Sequence, residues 1–138
     1  MSKADLIAAR VEELRLRTGQ RLAVLLPCFN EEAAIAGVVA DFRAALPEAT
    51  IYVYDNNSTD RTVEVARSAG ALVRGEKHQG KGNVVRRMFA DIDADVYVLV
   101  DGDATYDAPS ARGMIDKLVA ERLDIDRKST RLNSSHRL

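Results

Sequence analysis

The chain has 138 residues, 46% apolar and 30% charged, with a formal net charge of −1, enough to bury one core and fill one domain. Residues 1–125 carry 16 basic against 20 acidic side chains, a balance that argues against a nucleic-acid surface. No run approaches the roughly 18–20 apolar residues that span a bilayer, the N-terminus lacks the apolar core of a signal peptide, and the single Cys28 has no disulfide partner in the chain, so a reducing, cytoplasmic setting is expected.

Ser2 as a cap and the helical spacing of Leu6, Ile7, Val11 and Leu14 predict an amphipathic helix ended by Gly19, so residues 1–19 form a segment of their own. RLAVLLP (21–27) predicts a first strand closed by Pro27. NEEAAIAGVVADFRAALP (30–47) predicts a helix with Asn30 as N-cap, Glu31 and Glu32 in the first turn and Pro47 as the stop. TIYVYD (50–55) is a second strand. NNSTDRTVEVARSAG (56–70) predicts a turn and a helix capped by Ser58 or Thr59 and ended by Gly70. ALVRG (71–75) is a weak third strand, GKGNVVRRMFADID (80–93) a loop entering a helix, and DVYVLV (95–100) a fourth strand. APSARGMIDKLVAERL (108–123) predicts a helix starting near Pro109 or Ser110, and LDI (123–125) the beginning of another strand.

Strands alternating with helices give an α/β fold: a Rossmann-like, mainly parallel sheet with helices on both faces, over residues 20–125. Ligands of such sheets sit beyond the carboxyl ends of the strands. Three strands run at that end into polar clusters: PCFNEE, DNNSTD and DGDATYD. DRKSTRLNSSH (126–136) breaks the pattern, with no helical or strand period and no apolar anchor. It resembles the in-frame translation of a sequencing-adapter oligonucleotide, so residues 126–138, His136 included, are expected to be a non-native tail outside the fold.

Asp101 and Asp103 flank Gly102 two positions apart, so an extended backbone points both the same way. In a low-dielectric cleft the two charges repel. Mg²⁺ or Mn²⁺, which takes one or two carboxylates and completes its shell with water and phosphate oxygens, turns that repulsion into attraction. Alternatively the run is a solvated turn with Asp107 capping the next helix. Asp55 can accept a hydrogen bond from a nucleobase N–H or a ribose hydroxyl; its other reading is an Asx-turn, which Asn56 to Thr59 can supply alone. Glu31 follows strand one, where it either meets a ligand or offsets a helix dipole.

Gly80 and Gly82 free the backbone around Lys81, which can reach a diphosphate at a helix N-terminus. Gly75, Gly80 and Lys81 also half-match a P-loop, with VYVLVD as a Walker B strand. Gly82 stands where a P-loop needs Ser or Thr. His78 reads as a loop residue, Arg86 and Arg87 as helix surface. A P-loop-like NTPase and a non-catalytic Rossmann-like nucleotide-binding module are the alternatives.

VLLPCFNEE, VYDNNSTDRT, HQGKGNVVRRMF and VLVDGDATYD, in this order, resemble family 2 glycosyltransferases of the GT-A fold, in the branch of dolichol-phosphate mannose synthase and bacterial polyprenyl-phosphate relatives. The resemblance covers about residues 20–125. It implies the N-terminal, nucleotide-binding half of a truncated GT-A domain, with a GDP- or UDP-linked sugar as donor, Mg²⁺ or Mn²⁺ as cofactor, and transfer with inversion. By the same resemblance Pro27, Asn30 and Glu31 line the nucleoside pocket, Asp55 holds the base, and Lys81 lies near the diphosphate. Asp101 with Gly102 faces the ribose and metal, and Asp103 is the direct metal ligand. It further implies a polyprenyl or dolichyl phosphate acceptor at the cytoplasmic face of a membrane. The acceptor site, any catalytic base and the membrane contact fall in the missing C-terminal half. Mannose synthases carry a Gln-His-Pro-Pro-like run where this chain has ATYDAP, which leaves the sugar open.

Overall fold

The computed structural model describes residues 21–100, 108–127 and 134–137; the expected helix within 1–19 and the segment 101–107 lie outside them. Five strands form one sheet in the order β3-β2-β1-β4-β5: β1 (Leu22–Cys28), β2 (Thr50–Asp55), β3 (Leu72–Gly75), β4 (Val96–Leu99) and β5 (Ser134–Arg137). Each neighbouring pair is parallel. The helices are α1 (Ile35–Ala45), α2 (Thr62–Ser68), α3 (Lys81–Asp91) and α4 (Ala108–Arg127).

The middle strand β1 is buried along its whole length, as expected for a parallel strand covered on both faces. Its alternate residues feed two cores. Leu22, Val24, Leu26 and Cys28, joined by Ile51 and Val53 of β2 and Val96 and Val98 of β4, pack under α1, α2 and α4 through Ile35, Val38, Phe42, Ala66 and Ile115. On the opposite face Ala23, Leu25 and Tyr54 pack against Val84 and Met88 of α3 and Ile92 beyond it. The Tyr54 hydroxyl donates to Asp91 Oδ2 at 2.8 Å, pinning α3 to β2. A second clamp joins the turn before β2 to α4. Arg112 donates to both carboxylate oxygens of Glu48, at 2.6 and 2.7 Å, and to Asp116 at 2.7 Å.

Four boundaries differ from the sequence reading. α1 begins at Ile35 and has no side-chain cap. Asn30 lies in the left-handed region at φ 51°, and Glu31 and Glu32 precede the helix, with the Glu31 carbonyl accepting the Ala34 and Ile35 amides. α2 begins at Thr62, past Ser58 and Thr59. β1 includes Pro27 and continues to Cys28. α4 carries helix through Leu123–Ile125 to Arg127, where a strand was expected, and the tail supplies β5. The helical spacing of the preceding apolar residues extends through LDI, while pairing to the free edge of β4 uses backbone groups and needs no side-chain pattern.

Candidate functional site

The chain runs from β1 out to β2 and β3, then crosses back to lay β4 on the other side of β1. The strand order therefore reverses between β1 and β4, and the crevice at their carboxyl ends is where this architecture takes ligands. The β1–β4 ladder ends there for a local reason. The last β1–β4 register pair is Leu25 with Leu99, and the Val100 amide donates to the Leu25 carbonyl at 3.0 Å. Pro27 is two residues on, so it faces β4 as Leu25 does. The next rung would run from residue 27 to the Val100 carbonyl, and proline has no N–H to make it. β1 instead stays paired to β2 through Cys28 and Asp55.

Beyond the paired ends of β1 and β2 two loops are stitched together. The Asn30 amide donates to Ser58 Oγ at 2.8 Å, and the Thr59 amide returns a bond to Asn30 Oδ1 at 2.9 Å. The Glu31 amide donates to Thr62 Oγ1 at 2.8 Å, the Glu32 amide to Asp60 at 3.3 Å, and the Arg61 amide to Glu32 Oε2 at 3.0 Å. The Thr62 hydroxyl donates to Asp60, and that bond heads the causes holding the Asp60 carboxyl below its ordinary range. Side chains expected to cap helices thus hold the β1 loop against the β2 loop.

Asp55 stands at the end of β2. Its Oδ2 accepts the Ser58 amide at 3.1 Å, so it does part of the turn work assigned to its neighbours. Its Oδ1 is buried without a hydrogen-bond partner, a costly state that a ligand donor would relieve. Glu31 is half-buried. Burial first, then the charges of Glu31 and Asp55, push the Cys28 thiol far above its ordinary range, which removes Cys28 as a nucleophile. Phe29, one residue past the register partner of Asp55, is 48% exposed. The sequence reading gave it no role, although a large aromatic directly after an apolar strand was visible there.

The loop after β3 closes the β2 side. Buried Asn56 donates to the carbonyls of Glu76 and His78 and accepts the Gly80 amide. Asn57, left-handed at φ 67°, donates to the Lys77 carbonyl and to Gln79. The His78 amide donates to Glu76 Oε1. A P-loop turns its amides toward a phosphate; here carbonyls 76–78 face asparagine side chains and the 78 and 80 amides are already engaged. Lys81 opens α3, behind Gly80 at φ 123°. The structure thus brings Pro27, Asn30, Glu31 and Asp55 to the ends of β1 and β2 and Lys81 to the α3 start. Asp101, Gly102 and Asp103 lie outside the described residues. Among the described residues no group of three or more His, Cys, Asp or Glu side chains could hold a metal ion, and no helix is long and apolar enough to cross a membrane.

Glu76, 6% exposed, ties this loop to α3 through Arg87 Nε at 3.0 Å. The His78 amide, then the Arg87 guanidinium, hold its carboxyl below the ordinary 4.5. The unfolded chain then binds the proton more readily, so stability is present above about pH 4.5 and is lost as the pH falls through the folded value. A melting temperature followed from pH 6 to 3 is expected to drop below about pH 4.5, and less steeply in Glu76→Gln.

Residues 23–127 match the model of "Glycosyl transferase family 2". The chain is 58% identical over 104 residues to Protein RfbJ of Shigella flexneri, covering 75% of this chain and 81% of that one. It is 39% identical over 85 residues to a dolichyl-phosphate hexose transferase of Haloferax volcanii, covering 62% and 37%. Glucosyl-3-phosphoglycerate synthase of Mycobacterium tuberculosis, crystallised with Mn²⁺, UDP-glucose and phosphoglyceric acid, superposes at a TM-score of 0.58 with 28% identity over 68% of this chain and 36% of that one. The chain thus spans little more than a third of the length of these last two relatives. With its strand order and this match over three quarters of its length, the chain belongs to glycosyl transferase family 2, on a GT-A-like fold.

Proposed function

We propose that the crevice binds a UDP-sugar and that the whole protein transfers the sugar, with inversion, to a lipid phosphate. The observation that carries the nucleotide reading is the buried, unpartnered Asp55 Oδ1. Uracil offers a single imide N–H, which suits one open oxygen; guanine offers two adjacent donors, while Asp55 Oδ2 is already turned to Ser58. The exposed Phe29 ring is suited to stack on the base. Pro27, Asn30 and Glu31 frame the nucleoside, and Lys81 at the α3 N-terminus balances the diphosphate. The UDP-glucose complex of the mycobacterial synthase supports the donor class, and the dolichyl-phosphate hexose transferase supports the acceptor class.

Asp101 and Asp103 supply an all-oxygen donor set that fits Mg²⁺ or Mn²⁺. Such a cation, when bound, neutralises charge growing on the departing diphosphate. An acceptor oxygen forms its bond to the anomeric carbon from the face opposite the diphosphate, the bond to the diphosphate oxygen breaks, and the electron pair leaves with UDP. A lipid phosphate is already anionic and needs no base. Calorimetric titration tests the donor reading: in Mn²⁺, UDP is expected to bind at least about tenfold tighter than GDP, and Asp55→Ala to lose about tenfold of the UDP affinity, the worth of one hydrogen bond to a carboxylate. Equal affinity for UDP and GDP, or an unaffected Asp55→Ala variant, would remove the base assignment.

A further inference from the structure

Asn56 is 4% exposed, yet its side chain serves no apolar core. Its Nδ2 donates to the Glu76 carbonyl at 2.8 Å and the His78 carbonyl at 2.9 Å, and its Oδ1 accepts the Gly80 amide at 2.9 Å. Its own amide donates to the Cys28 carbonyl at 2.9 Å. One residue therefore joins the end of β1, the end of β2 and most of the β3–α3 loop. Of the four hydrogen bonds an amide side chain commonly makes, three go to backbone groups of a single five-residue loop.

That loop has one product: the start of α3. It delivers Gly80 at φ 123° as the helix N-cap, and Lys81 as the first helical residue. Asn57 fastens the same loop at Lys77 and Gln79, and Glu76 fastens it to Arg87. A loop that merely linked a strand to a helix would be satisfied by water at the surface. Spending a buried amide on it makes sense where the position of the helix start matters to within fractions of an ångström, as it does for a group that must meet charge at a fixed point.

We infer that Asn56 is a positioning residue for the donor's diphosphate. It fixes the 76–80 loop, and through it Lys81 and the first turn of α3, without touching the nucleotide. This rests on the donor reading above, in which Asp55 takes the base and Lys81 the diphosphate. Base and diphosphate are then held by separate devices, and only the second depends on Asn56.

The test compares UDP with uridine on the full 138-residue chain, in Mn²⁺, with uridine binding followed by NMR. Asn56→Ala is expected to weaken UDP about tenfold or more while uridine changes less than about twofold. Hydrogen exchange at the Gly80 amide and across 76–83 is expected to accelerate, with β1 and β2 unchanged. Asn56→Asp keeps an acceptor for Gly80 but aims its second oxygen at two carbonyls, so it is expected not to restore UDP binding. Equal losses for UDP and uridine would make Asn56 a general structural residue and overturn the inference. So would unchanged UDP binding, unchanged exchange at Gly80, or full recovery in Asn56→Asp. If the unaltered chain binds no UDP, the donor reading itself fails and takes the inference with it; if it binds UDP and Asn56→Ala does too, the inference falls alone.

Discussion

Replacing Asp103 by alanine is expected to cut Mn²⁺-dependent UDP binding by at least about a hundredfold, because a direct carboxylate ligand to a divalent ion is worth several kcal/mol. Asp103 follows three residues after Val100, whose amide closes the last rung between β4 and β1. In sequence the Asp101–Asp103 pair thus follows directly on that rung. Without a cation, two carboxylates two positions apart would oppose a diphosphate; with one, they attract it. Calorimetry with Mn²⁺ and then with a chelator measures the effect, and Asp107→Ala serves as an acidic neighbour expected to change little. UDP binding by the unaltered chain that ignores the chelator would defeat the assignment.

Arg112→Ala is expected to lower stability by about 2–3 kcal/mol, or roughly 10 °C of melting temperature. The Glu48 side chain is only 9% exposed and the Arg112 side chain 22%, so deleting the guanidinium leaves a carboxylate with little water to turn to. The upper end of the usual cost for breaking a buried pair is discounted for that residual exposure. Arg112 Nε is itself buried without a partner, so the cation is imperfectly housed. An apolar pair, Glu48→Leu with Arg112→Met, is therefore expected to recover most of the loss. Thermal unfolding of the two variants decides it: a single variant within about 0.5 kcal/mol of the original would mean that the clamp contributes little.

The middle strand was legible because burial on both faces leaves apolar side chains: all seven residues of β1 are buried, and the run LAVLL shows it, although the expected strand stopped at Pro27, one residue short. The helices were legible from spacing, since Ile35, Val38, Val39 and Phe42 are the buried face of α1. What could not be read is what polar residues do across the chain. Asn30 and Ser58 have the chemistry of helix caps, but each finds its partner 28 or 29 positions away, and a local rule weighs only near neighbours. The Glu48–Arg112 clamp spans 64 positions. Asn56 looked like ordinary turn chemistry for the same reason. β5 escaped because an edge strand is recruited by the backbone of its neighbour. Of the candidate site, the acidic and amide residues stood out in the sequence, whereas Phe29 was passed over inside PCFNEE because an aromatic among polar residues carries no charge or spacing signal.

Pro27 gives the carboxyl end of the sheet a property that side-chain packing alone would not. Past the Leu25–Val100 bond, the amide that would continue the ladder from the β1 side is the one Pro27 lacks, so that single rung is absent whatever occupies the site. Under the donor reading proposed above, a nucleotide binding there would not compete with that rung, and discrimination among bases and sugars would fall to the surrounding loops.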